Sequence, residues 1–162
     1  MGRALRPIPQ ELFFIVGWAE EPVLFIFARG LILSAIILKF SLSRSRKLAV
    51  KSIKTIGDAV MASFISNEQA IMAAVGAVTR FREYNLTRPQ SEWIQVRIGI
   101  HRGTGLLVNL HNLIDYFGST VNKAARIQNL SKSDEVSFSE DVYNDQGFLT
   151  ALKAAGVSEI HK

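Results

Sequence analysis

The chain has no cysteine among its 162 residues. Disulfides, thiolate metal sites and a cysteine nucleophile are excluded, and a reducing compartment is the expectation. Histidine is scarce, at three, and His111 and His161 have no partners at metal-binding spacing. Neither a G-x-x-x-x-G-K-[ST] phosphate loop nor a G-x-G-x-x-G fingerprint is present. Excess charge of one sign is missing from the last two thirds. Residues 57–162 carry ten Lys/Arg against eleven Asp/Glu, whereas residues 1–56 carry nine against three. All of the net +5 comes from the first third, which is not the pattern of a nucleic-acid-binding domain. Nor is there a long uncharged apolar run. Val23 to Leu38 is the nearest, and Arg29 interrupts it.

What is present is a composition for one folded domain: 48% apolar and 20% charged. The Val23–Leu38 stretch, followed at once by Lys39, Arg44, Arg46 and Lys47, has two readings. It is a buried helix lying on a sheet, or a short membrane-associated segment with a positive-inside flank. From Leu48 the pattern is orderly. Residues 48–54 and 59–65 alternate and predict a hairpin around Ile56-Gly57-Asp58. Ser66 or Asn67 caps a helix to about Tyr84, with Ala70, Ala73, Ala74, Ala77, Val78 and Phe81 at helical spacing. Residues 93–101 give the clearest strand, and 104–110 another. A helix is expected over 118–130, a strand over 135–138, and helical stretches after Ser139 and Gly147. The sum is an α+β chain with helices against a mixed sheet.

Three segments could carry chemistry. Asp58 stands at a hairpin tip, where a carboxylate suits a hard divalent cation; an ordinary turn has the same sequence. Asn122 and Arg126 are four apart on one helix, with Asp115 just before it. They form either a phosphate and sugar clamp or a capped helix with a surface arginine. His101, at the end of the best strand, is a ligand or base, or a structural histidine; burial habits favour the last.

Taken together, K-T-I-G-D-A-V-M-A-S-F at 54–64, R-I-G-I-H-R-G at 97–103 and D-Y-F-G-S-T-V-N-K-A-A-R at 115–126 closely resemble the class III adenylate/guanylate cyclase catalytic domain, particularly of bacterial type. The resemblance covers roughly residues 48–145. It implies a ferredoxin-like βαββαβ mixed sheet flanked by helices. It divides the chain into a divergent N-terminal segment, 1–47, and a catalytic core, 48–162. By this resemblance Asp58 is one of two aspartates for a Mg²⁺ or Mn²⁺ pair, and Lys54 with Asp115 reads the base. Lysine only donates, which suits adenine N1, and the aspartate accepts from the adenine amino group. Asn122 orients the ribose, and Arg126 stabilises charge on the α-phosphate. The implied activity is conversion of ATP to 3′,5′-cyclic AMP and pyrophosphate in intracellular signalling. The sites form across a homodimer or a heterodimer with another cyclase domain. One subunit supplies metal ligands, and the other supplies the base readers, Asn and Arg. The implied location is the cytoplasm, or the inner face of the membrane if residues 23–38 associate with it.

The sequence departs from the family in two places. The first metal motif normally reads D-I-x-G-[FS]-T. Its nearest match in type and spacing is Phe14-Ile15-Val16-Gly17-Trp18-Ala19, with Phe14 in the aspartate position. Phenylalanine cannot ligate a metal, so activity is in question, and a catalytically inactive pseudo-cyclase acting as a dimerisation partner is the alternative. The family also continues through two closing strands, which find no match before Lys162.

Overall fold

A computed structural model describes residues 15–18, 23–29, 50–56, 59–110, 113–157 and 160. Its centre is a five-stranded sheet in the order β3-β4-β2-β5-β8. These strands are β2 (Val23–Arg29), β3 (Val50–Ile56), β4 (Ala59–Phe64), β5 (Arg97–Gly103) and β8 (Glu135–Phe138). β2 pairs antiparallel with both β4 and β5, β3 pairs antiparallel with β4, and β8 lies parallel to β5. With α1 (Asn67–Leu86) between β4 and β5, the strand order β3-β4-β2-β5 is the ferredoxin-like arrangement expected from the sequence. A second sheet, β1-β6-β7, holds β1 (Ile15–Trp18), β6 (Leu106–Leu110) and β7 (Leu113–Phe117).

The Val23–Leu38 expectation is corrected for the residues described. Val23–Arg29 is a strand, neither a buried helix nor a membrane segment. It sits mid-sheet, with Phe27 opposite Met61 on one side and Gly99 on the other. Helices pack over both of its faces. A strand covered on both faces reads as a continuous apolar run, and so loses the alternation that separates strand from helix. Residues 30–38 lie outside the described residues. No described helix is long and apolar enough to cross a membrane. β2 belongs to the 1–47 segment, yet it completes the sheet of the 48–162 core.

Alternation along β4 and β5 divides the interior. Val60, Ala62, Phe64, Ile98 and Ile100 join Ala70, Ile71, Ala74 and Phe81 of α1 in the main core. Val142 of α3 (Glu140–Tyr143), and Phe148 and Leu152 of α4 (Gln146–Ala154), close that core. Ser66 caps α1 by accepting the Gln69 N–H. Asp145 caps α4 by accepting the Phe148 N–H at 3.0 Å, and also takes Arg102 Nη1 at 2.5 Å and Asn67 Nδ2. The Phe148 N–H and the Arg102 guanidinium hold its carboxyl below the ordinary value of 3.8, against the opposing effect of burial. Its stabilisation is present above that pH and is lost only below it.

The opposite face carries α2 (Ser119–Leu130). Its buried stripe is Thr120, Ala124 and Gln128, spaced by four, as a single helix face requires. Beneath it β5 presents Gly99, His101 and Gly103. A Cβ on Gly99 would stand 2.3 Å from the Gln128 nitrogen and 2.6 Å from the Ala124 carbonyl oxygen. The helix backbone therefore rests directly on the strand, which only glycine permits. Ser131 Oγ donates to the Ile98 carbonyl at 2.8 Å and ties down the helix end.

Candidate functional site

The packing of α2 decides where its polar residues go. With Thr120, Ala124 and Gln128 turned to the sheet, Asn122 and Arg126 lie on the far side, and both are exposed. One face of the helix presents an amide and a guanidinium side by side. Their own sheet leaves them free for a ligand.

A small second core connects this helix to the other candidates. Met61 of β4, Tyr116 of β7 and Ala124 of α2 form it, with Ala59, Val121 and Ala125 packed around. Lys54 stands opposite Met61 in the β3–β4 register. Asp115 precedes Tyr116 and stands opposite Val108 in the β6–β7 register. β3 and β7 belong to different sheets but run against each other. The backbones bearing Lys54, Asp115, Asn122 and Arg126 are thus gathered around one cluster. Asp115, which reads in the sequence as a residue leading into the helix, lies within the strand β7. Asp58 lies outside the described residues, between the flanking positions Ile56 and Ala59, which pair with each other.

Among the described residues, the strands that would carry a second metal carboxylate hold none. Phe14 lies outside the described residues. The strand after it, β1, pairs with β6 in the small sheet, away from the hairpin. The strand that runs beside β4 is β2, and its sequence VLFIFAR offers no carboxylate. β1, with IVGW, offers none either. Among the described residues, no three of His, Asp and Glu gather in a way that could hold a metal ion.

His101 takes the structural role. It is 5% exposed, and its Nδ1 lies 2.8 Å from Ser139 Oγ. Burial, and then the nearby Lys123 of α2, push its pKa below the ordinary 6.5, against a weaker pull from Asp141 of α3. The folded protein therefore refuses a proton that the unfolded chain accepts. Stability should fall as pH drops below about 6.5 toward the lower folded-state value, with a slope of at most ~1.4 kcal/mol per pH unit. Asp145 titrates lower and does not contribute in that window. Urea unfolding at pH 7.5 and 5.5 should show a smaller pH difference for His101→Gln than for the parent. An equal difference in both proteins would contradict this assignment.

The sequence did not point to Gly99 and Gly103 as more than strand and turn glycines. The available signal was their spacing on one strand face, matched to Thr120, Ala124 and Gln128 on one helix face. A cleft of about 560 Å³ between the N-terminal end of α1 and the length of α4 is lined by residues such as Asn67, Glu68, Gln146 and Ala154. It touches none of the candidate site residues.

The family described as the adenylate and guanylate cyclase catalytic domain matches residues 31–154. Among curated proteins, no sequence matches. Solved structures of similar fold include a guanylyl cyclase domain of the RhoGC fusion protein from the aquatic fungus Blastocladiella emersonii. It is 21% identical, with a TM-score of 0.62 and coverage of 86% of each chain. The catalytic core of a rhodopsin-guanylyl cyclase with converted specificity, in complex with ATPalphaS, is 20% identical with a TM-score of 0.62, covering 86% of this chain and 84% of that one. A monomeric adenylate cyclase from Trypanosoma brucei is 20% identical with a TM-score of 0.57, covering 75% of this chain and 74% of that one. With most of its length matched, and with this fold, the chain belongs to the adenylate and guanylate cyclase catalytic domain family.

Proposed function

We propose that the chain is the nucleotide-reading half of an adenylate cyclase, forming 3′,5′-cyclic AMP and pyrophosphate from ATP across a dimer of cyclase domains. The observation that carries this reading is the small core of Met61, Tyr116 and Ala124. It draws the backbones of Lys54 and Asp115 to the helix whose outer face bears Asn122 and Arg126. Lys54 donates to adenine N1, and Asp115 accepts from the exocyclic amine. Asn122 holds the ribose so that its 3′-oxygen lies in line with the α-phosphorus. The new O3′–P bond forms as the bond to pyrophosphate breaks, and the hydroxyl proton passes to solvent. Arg126 neutralises the charge that builds on the α-phosphate oxygens.

Cyclase domains of this family use divalent metal ions. Mg²⁺ or Mn²⁺ would fall to Asp58 on this chain, but β2 supplies no second carboxylate. This specific gap favours a second reading, in which the chain is inactive by itself and serves as the partner of a domain that holds both aspartates.

Base selection is the direct test. In an assembly with such a partner, ATP should be turned over at least about 100-fold better than GTP, because guanine would leave Lys54 and Asp115 unpaired. Lys54→Glu should reduce that ratio by tenfold or more. A ratio near one in the parent would contradict the adenine assignment.

A further inference from the structure

We propose that Thr120 is a positioning residue that aims Asn122. The helix α2 begins without a side-chain cap. Its N-cap is Gly118, at φ +127°, and among the described residues no side chain caps the first N–H groups. Asn122 lies in this first turn, and its own N–H reaches the Gly118 carbonyl only at 3.4 Å. An uncapped first turn frays readily. Thr120 replaces the cap with a tether to the short connection that follows β5. Its hydroxyl donates to the Thr104 carbonyl at 2.5 Å, and the side chain is 7% exposed.

Gly103 makes room for the tether. A Cβ there would stand 2.8 Å from the Thr120 methyl and 2.9 Å from its hydroxyl oxygen. The far end of α2 is held independently, by Ser131 on Ile98 and by the Gln128 backbone on Gly99. Removing the Thr120 hydroxyl therefore frees one turn and leaves the helix in place. That turn carries Asn122, while Arg126 sits a turn closer to the second anchor.

The inference rests on Asn122 as the ribose contact, and its test separates the two ideas. Amide exchange in Thr120→Val should quicken at least about tenfold at Asn122 and Lys123, the first amides bonded within the helix, and should stay unchanged for 126–130. Turnover in the assembly with a carboxylate-bearing partner should fall about tenfold, with KM for ATP within about twofold, since small misplacements act mainly on the reacting geometry. Thr120→Ser should restore both readouts. In an Asn122→Ala background, Thr120→Val should cost nothing further, because it acts through Asn122. Thr120→Ala repeats the test if the valine variant folds poorly. Unchanged exchange in the first turn, or full additivity with Asn122→Ala, would overturn the proposal. If the parent assembly makes no cyclic AMP, the adenylate cyclase reading falls, and the exchange result still decides the role of Thr120.

Discussion

Arg126→Ala is expected to lower cyclic AMP formation about 10²- to 10³-fold while leaving the fold intact. The two halves of this expectation come from the same packing fact. Arg126 is exposed on the face of α2 opposite the stripe that seats the helix, and no described core includes it. Exposed substitutions of this kind stay within about ±0.5 kcal/mol in stability. In the proposed function its charge acts only when the α-phosphate oxygens gain negative charge. Losing one such donor costs on the order of 10²–10³ in kcat. Arg126→Lys should recover only part of the loss, because an ammonium cannot make the paired contacts of a guanidinium. Melting curves and single-turnover rates on the same samples check both halves. A large fall in Tm would show that Arg126 is structural.

The second large effect is expected at Gly99. Gly99→Ala places a methyl 2.3 Å from the Gln128 nitrogen, 2.6 Å from the Ala124 oxygen and 2.7 Å from the Gln128 Cα. All three are backbone atoms, so no rotamer change relieves the clash and α2 must lift. Overpacking of a tight contact costs about 1–3 kcal/mol, occasionally more, and this site belongs at the upper end. For a domain of this size that is a Tm decrease of roughly 6–12 °C. Ala124→Gly should not rescue it, because the obstruction is main chain. Gly103→Ala differs in kind, since its obstruction is the Thr120 side chain, and Thr120→Ala should relieve it. A Gly99→Ala protein with parental stability would contradict the direct seating of helix on strand.

The sequence made the hairpin, α1, α2 and β8 legible because each repeats a period and begins or ends on a recognisable cap or turn. All six residues predicted to line the buried side of α1 are buried. It failed where burial erases periodicity, as at Val23–Arg29, and where a short strand abuts a helix, as at Leu113–Phe117. The best strand, expected at 93–101, pairs over Arg97–Gly103, and residues 93–96 stay outside the ladder. Asn122 and Arg126 could be placed on one helical face from spacing alone. That this face points outward could not. It depends on two glycines some twenty residues upstream, whose missing side chains decide which face of the helix meets the sheet.

The central claim is that this chain contributes an adenine-reading, ribose- and phosphate-orienting surface and depends on another domain for its metal carboxylates. The most direct measurement mixes it with a cyclase domain that keeps both aspartates but has lost its own asparagine and arginine. Cyclic AMP production from Mn²⁺-ATP should appear only on mixing, and should fall at least about 10²-fold with Asn122→Ala or Arg126→Ala in this chain. No product on mixing, or production that both substitutions leave undiminished, would contradict it.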